Sequence, residues 1–214
     1  MTMTTDLDGT QRWFNAAGQL HREDGPAVIT EDGYKSWYQN GKLHRIDGPA
    51  RINSQSGNQA WYQHGELHRE DGPAVINTKT GYQAWYQHGK LDRNDGPAVI
   101  REDGCHVWYQ QDKPHRDDGP AVTNGKGYQV WYQYGKRHRV DGPAFVYETG
   151  HQEWWLHGKL HREDGPAVDY GDGHQEWWHH GKLHREDGPA IVYKNGHKTW
   201  FIHNKFVKYE RNVE

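Results

Sequence analysis

The sequence predicts an all-β fold: an elongated single-sheet repeat of antiparallel β-hairpins, a solenoid of eight full units plus a C-terminal cap. Three observations carry that expectation. Tryptophan recurs at 13, 37, 61, 85, 108, 131, 154, 177 and 200, in steps of 24 and then of 23. A D-G-P-A phrase recurs at the same period, with its proline at 26, 49, 73, 97, 120, 143, 166 and 189. No stretch shows helical apolar periodicity, and Gly and Pro recur too often for a long helix. Self-similarity at a fixed period of this length marks stacked supersecondary units.

Each element of a unit follows in order. The first segment, x-Q-x-W-Y-Q, is rich in aromatic residues and reads as a strand. Asn40-Gly41, His64-Gly65, His88-Gly89, His157-Gly158 and His180-Gly181 then mark a turn with positive φ. The P-A-V-I stretch reads as the second strand, and E-D-G, T-G or N-G makes the return turn. Length varies only at turns: NSQSGN, NTKTGY and FNAAGQ each hold one extra residue. Equivalent residues are then two strands, or about 10 Å, apart. Residues 1–10 form an N-terminal segment that either covers one sheet edge or is disordered. Residues 11–204 form one repeat domain, and residues 205–214, which lack the H-R-x-D-G-P phrase, form a cap of the kind solenoids need.

Composition explains how such a chain holds together. Leu, Ile, Val and Phe number 31 of 214 residues, too few for a thick core. The net charge of −3 does not fit a disordered chain either. The missing apolar area comes from 11 Trp and 13 Tyr, each able to bury roughly 150–250 Å². The 26 basic residues nearly balance the 29 acidic ones, so no nucleic-acid or membrane partner is expected. No leader and no membrane span is expected from the apolar pattern. Cys105 stands alone, which excludes an internal disulfide and fits a cytoplasmic location.

The repeated positions suggest roles. The residue after each Trp is always aromatic, and neighbours in a strand point to opposite faces. Two aromatic ladders result, and the second (Tyr38, Tyr62, Tyr86, Tyr109, Tyr132, Trp155, Trp178) is a candidate partner-binding face. The H-R-x-D-G-P loop, as in His44-Arg45-Asp47, His68-Arg69-Asp71 and His161-Arg162-Asp164, reads as a structural rung. In this reading Asp caps local N–H groups, Gly takes an unusual φ, and Pro starts a strand without donating. Arg pairs with Asp in its own or the adjacent unit, and His bonds loop carbonyls.

Three chemical readings of the loop are weaker. No nucleophile is held in register and no unit is singled out, so no catalytic residue is assigned and no enzyme is expected. Equivalent histidines about 10 Å apart cannot share an ion that binds at about 2.0–2.3 Å. The H-x-x-x-H pairs at 64–68, 157–161 and 180–184 straddle a turn. No metal site and no cofactor is therefore expected. Each Arg is matched by an Asp two residues on, which argues against a phosphate track. Departures from the repeat, at Arg51, Asp92 and Asp112 (the last beside Pro114), are further partner-binding candidates.

The core W-Y-Q-N-G-K-L-H of residues 37–44, with its 23-residue period, resembles MORN repeats, which carry W-x-N-G-x-x-H-G-x-G. It is more similar to a divergent bacterial and viral form built on N-G-K-L-H-R-E-D-G-P-A. The likeness covers almost the whole chain, with H-G-x-G replaced throughout by the longer H-R-x-D-G-P-A. The resemblance implies a scaffold that binds another protein, with phage-encoded, antitoxin-like or immunity-like relatives acting as inhibitors in a bacterial or phage-infected cell. Uncapped strand edges would also allow self-association. Two alternatives are a nucleotide- or small-ligand-sequestering protein with an aromatic and Arg groove, and a structural assembly component.

Overall fold

Each repeat between the first and the last turns a corner at its tryptophan. In the computed structural model, which describes residues 1–213, the residues before and after that tryptophan form separate strands, whereas Gln11–Phe14 and Lys198–Ile202 run unbroken through Trp13 and Trp200. Gln83–Ala84 belongs to the main sheet, whereas Tyr86–Gln87 pairs with Lys90–Leu91 in a two-stranded hairpin. The expected pairing of x-Q-x-W-Y-Q with P-A-V-I across the H-G turn is therefore corrected. The turn is the reason. Asn40 (φ 49°) and Gly41 (φ 77°) both lie in the left-handed region, and Gln39 faces Lys42 across them. A two-residue turn of this type closes a tight hairpin at once, so the chain folds straight back onto K-L.

The tryptophan backbone then serves both rows. Trp37 N–H donates to Ala50 O at 2.8 Å, which holds the D-G-P-A strand beside the sheet half. His44 N–H donates to Trp37 O at 3.1 Å, which closes the hairpin half. Successive hairpins are joined as well. Gly65 N–H donates to Leu43 O at 2.8 Å, and Arg45 N–H to Tyr62 O at 3.1 Å. These repeats are thus tied to one another through two rows of backbone bonds.

The fold is all-β and the main sheet is antiparallel throughout, as the sequence predicts; no helix occurs among the described residues. The chain packs as two compact units, Met1–Asp112 and Lys113–Glu214. In the first, Thr2–Thr5 starts a sheet that continues through Gln11–Phe14, Val28–Ile29, Tyr34–Ser36, Arg51–Asn53, Asn58–Ala60, Val75–Asn77, Gln83–Ala84, Val99–Ile100 and His106–Val107. In the second, the run is Val122–Thr123, Gln129–Val130, Phe145–Val146, Gln152–Glu153, Val168–Asp169, Gln175–Glu176, Ile191–Val192, Lys198–Ile202 and Lys205–Glu210. Neither sheet closes on itself. Thr2–Thr5 covers the edge of Gln11–Phe14, so the N-terminal segment is an edge strand. Lys205–Glu210 covers Lys198–Ile202 and carries three charged residues, a common way to blunt an exposed edge. No helix is long and apolar enough to cross a membrane.

The core is thin. All eight D-G-P-A alanines are fully buried, and Val28, Val99, Val107, Val130 and Val168 complete much of it. Because packing is already dense around a methyl group, a larger side chain there must displace its neighbours. Ala74→Leu is expected to lower the urea-unfolding free energy by about 1–3 kcal/mol; an unchanged midpoint would show that the alanine sites have spare room.

Candidate functional site

The H-R-x-D-G-P loop is built around its arginine. Arg69 lies with Cζ 4.1 Å from the centre of the Trp61 ring. Its Nε donates to Asp71 Oδ1 at 2.8 Å and its Nη1 to Pro73 O at 3.3 Å. On the other side lies Gly72, where a Cβ would sit 3.1 Å from Arg69 Cζ. The guanidinium is thus layered between an indole and a glycine backbone. The same stack, at 3.9–4.2 Å, recurs in the repeats led by Trp13, Trp37, Trp85, Trp131, Trp154 and Trp177. At Trp200, Lys208 of the terminal strand takes the position at 3.9 Å. Each stack contributes about 0.5–2 kcal/mol, more as it is desolvated.

Of the two Arg–Asp pairings the sequence allows, the structure uses the one within the loop: each Arg pairs with the Asp of its own loop in all eight copies, at 2.8–2.9 Å. One expectation about this loop is corrected. The D-G-P glycines do not take positive φ; they are glycines because the guanidinium passes too close for a Cβ. The hydrogen bond from Arg, reinforced by its charge, holds the partner aspartates below the usual carboxylate range.

The loop histidine is the joint between repeats, and its partner is an N–H rather than the carbonyl the sequence reading expects. Nδ1 of His44 accepts the backbone N–H of His64 at 3.1 Å, and Nδ1 of His68 accepts that of His88 at 3.2 Å. His115, His138, His161 and His184 accept from Tyr134, His157, His180 and His203 in the same way. The donor is always the first, positive-φ residue of the next hairpin turn. An accepting Nδ1 requires neutral imidazole with its proton on Nε2. The rings also lie against the side chain of that turn residue, tilted with centroids 4.7 Å apart for His44 and His64 and stacked at 4.4 Å for His138 and His157. Burial, and then the neighbouring histidine, lowers the pKa of both His44 and His138.

The predicted partner-binding residues fall into three places. Tyr38, Tyr62, Tyr86, Tyr109, Tyr132, Trp155 and Trp178 are all half-buried on the hairpin row, so this ladder is not an open apolar face. Burial raises the phenol pKa of Tyr38 and Tyr86. Trp155 and Trp178 donate Nε1–H to Glu153 and Glu176 at 2.6 and 2.8 Å. Asp92 and Asp112 meet at one joint. Gln111 Nε2 donates to Asp92 Oδ2. Asp112, at φ 62° in place of the turn glycine, accepts Leu91 N–H at 2.8 Å through Oδ1. Arg51 stands apart on the main sheet, donating to Tyr34 Oη at 2.9 Å.

The sequence reading names an aromatic and Arg groove only as an alternative and does not find that it recurs. Between successive loops the chain leaves a row of similar open grooves. One of about 680 Å³ lies between Asp71-Gly72-Pro73 and Trp85, Gln87 and Arg93. Its neighbour, about 740 Å³, lies between Ile46-Asp47-Gly48 and Trp61, Gln63 and Arg69. Val140 borders the corresponding groove, about 760 Å³, in the second unit. Groove rims are acidic because arginines point inward: the Arg69 side chain is 24% exposed, Asp71 83% and Glu70 88%. Ile46 and Val140, at 81% and 83% exposure, are apolar tips on these rims. The repeat period already contained this row, but no single-residue motif marks a concavity.

No protein-family model matches the chain, and no curated protein is significantly similar to it.

Two outcomes follow from this geometry. Arg69→Lys, which keeps the charge but loses the planar stack and the second hydrogen bond, is expected to lower the thermal midpoint more than Asp118→Asn. Asp118→Asn should itself lower it, and a melting curve unchanged by both substitutions would remove the loop from the stability of the fold. Histidines with lowered folded pKa stabilise the protein fully above their unfolded pKa, near ~6.5. That stability is lost as pH falls through the lowered folded value. The urea midpoint is therefore expected to be flat from about pH 8 to 7 and to drop as pH falls below about 6.5, with a shallower drop in His44→Gln/His138→Gln. A second loss follows below about pH 4, where the loop aspartates protonate.

Proposed function

We propose that the chain is a non-enzymatic binding module that recognises another protein along its row of loop grooves, as a divergent MORN-like repeat would. The observation that supports this reading best is the recurrence itself: like grooves lie between four pairs of successive loops, each floored by a Trp–Arg stack and rimmed by exposed carboxylates. A repeated surface with one chemistry suits an extended partner that makes the same contact several times, so that individually weak contacts add. An acidic rim with isolated apolar tips at Ile46 and Val140 favours a basic partner surface carrying aliphatic side chains. An inhibitor, antitoxin or immunity role in a bacterial or phage-infected cell accords with the repeat phrase and with such a surface. Sequestration of a nucleotide is the weaker reading. It needs free guanidinium forks, and the loop arginines already bond an aspartate and a proline carbonyl while lying on an indole.

Charge reversal tests the reading without touching the loop scaffold. Glu23, Glu70 and Glu186 are 79%, 88% and 82% exposed and approach only the loop histidines, at 3.7–3.9 Å. Glu23→Lys/Glu70→Lys/Glu186→Lys should keep the melting temperature and weaken binding of the partner recovered with the wild-type chain at least tenfold, mostly through the association rate. Unchanged affinity in the triple variant would move the interface away from the groove rims. A thermal shift with a nucleotide panel and no recoverable protein partner would favour sequestration instead.

A further inference from the structure

One joint between repeats differs from the others. In five repeats the second residue after the corner tryptophan is glutamine (Gln39, Gln63, Gln87, Gln110, Gln133); at this joint it is His179. It is followed by His180, the positive-φ turn residue, and both face His161 from the preceding loop. Ring centroids lie 4.8 Å apart for His161 and His179, 4.3 Å for His161 and His180, and 4.3 Å for His179 and His180. One nitrogen from each of the three rings can be chosen so that all lie within 4.8 Å of one another. Equivalent histidines stand about 10 Å apart, but the turn residues of the following repeat are not equivalent to the loop histidine, and the fold brings them alongside it.

We propose that His161, His179 and His180 form a binding site for one divalent transition-metal ion, with zinc or cobalt(II) the best geometric match. A tetrahedral ion with bonds of about 2.0–2.1 Å holds its ligand nitrogens roughly 3.4 Å apart. The rings therefore close by about an ångström or more, through side-chain rotation; His180 is exposed and free to swing in. Imidazole is a borderline ligand suited to zinc, cobalt, nickel and copper, so the class is fixed more firmly than the element.

The hydrogen bonding of His161 decides how it binds. Its Nδ1 lone pair accepts the His180 N–H at 3.2 Å. Its Nε2 faces Glu163 Oε1 at 3.8 Å. An ion at Nδ1 takes over that lone pair, and the exposed His180 N–H turns to water. The Nε2 proton then points at the Glu163 carboxylate, the arrangement that orients metal-bound histidines and strengthens them as donors. The reverse choice, metal at Nε2 with Nδ1 still accepting, would leave the ring without a proton and is disfavoured. A fourth position remains for water. The ion also replaces a bond between two repeats with a three-point clamp, so binding should stabilise this joint.

The test uses substitutions the repeat already tolerates: His179→Gln restores the glutamine of the other repeats, and His180→Asn copies Asn40 at the equivalent turn. Calorimetry with zinc chloride on the full chain should give one ion per chain. Cobalt chloride should give the intense visible bands of a tetrahedral centre. Each variant should weaken zinc binding at least tenfold and lose the tetrahedral cobalt spectrum, while His64→Asn, at a joint without the extra histidine, should change neither. Equal zinc affinity in wild type and His179→Gln, several weak ions per chain, or a wholly octahedral cobalt spectrum would overturn the site and leave only scattered surface histidine binding. None of these readouts depends on a protein partner, so failure here leaves the groove reading standing, and the converse.

Discussion

The arginine stack is the interaction on which the rest of this structure depends. A guanidinium lies flat between the corner tryptophan and the D-G-P glycine, held in plane by an aspartate and a proline carbonyl. It substitutes for the second layer that a sheet normally needs to cover its aromatic face. A chain with so few aliphatic residues can fold this way because planar groups, indole and guanidinium, cover area efficiently while costing little conformational entropy. It also explains why the phrase is invariant within the chain at Arg, Asp, Gly and Pro and free at x: those four residues enclose the guanidinium, and x points to solvent.

Much of this was legible in the sequence. The period located every repeat, and five Asn-Gly or His-Gly dipeptides located their hairpins, because a type I′ turn demands positive φ at two successive residues and few residue pairs provide it; the turns at Gln111-Asp112, Tyr134-Gly135 and His203-Asn204 carry no such mark. The break at tryptophan was not legible. Alternating aromatic residues in x-Q-x-W-Y-Q are compatible with one continuous strand, and only the long-range bond from Trp N–H to the D-G-P-A carbonyl reveals the corner. The role of the D-G-P glycine was likewise hidden. Glycine marks either an unusual φ or a close approach, and sequence alone does not separate them; here the approach of Arg Cζ decides.

The histidines show the same limit from another side. Their period suggested a row of separate rings, and equivalence between repeats was used to keep them apart. The fold instead pairs each loop histidine with a non-equivalent residue, the first turn residue of the next hairpin. That residue is Asn40, His64, His88, Gln111, Tyr134, His157, His180 or His203 in successive hairpins. The joint is therefore where the chain varies its chemistry while keeping its backbone. At Asp92 and Gln111 it becomes an amide–carboxylate contact, and at His161 and His180 a pair of stacked imidazoles.

This division of labour bears on how a repeat of such low complexity acquires specificity. The stack recurs unchanged in seven repeats and the backbone bonds recur with it, so they supply stability and spacing but no address. What distinguishes one groove from the next is the residue at x, the turn residue, and the second position after tryptophan. Ile46 and Val140 place apolar tips among acidic rims, Asp92 and Asp112 put two carboxylates at one joint, and His179 completes a cluster of three imidazoles. None of these residues contributes to the arginine stack, so each can vary while the stack is kept. A partner of the kind proposed, if it engaged several grooves of one unit at once, would read a pattern of exceptions, with register enforced by the scaffold and identity by the exceptions.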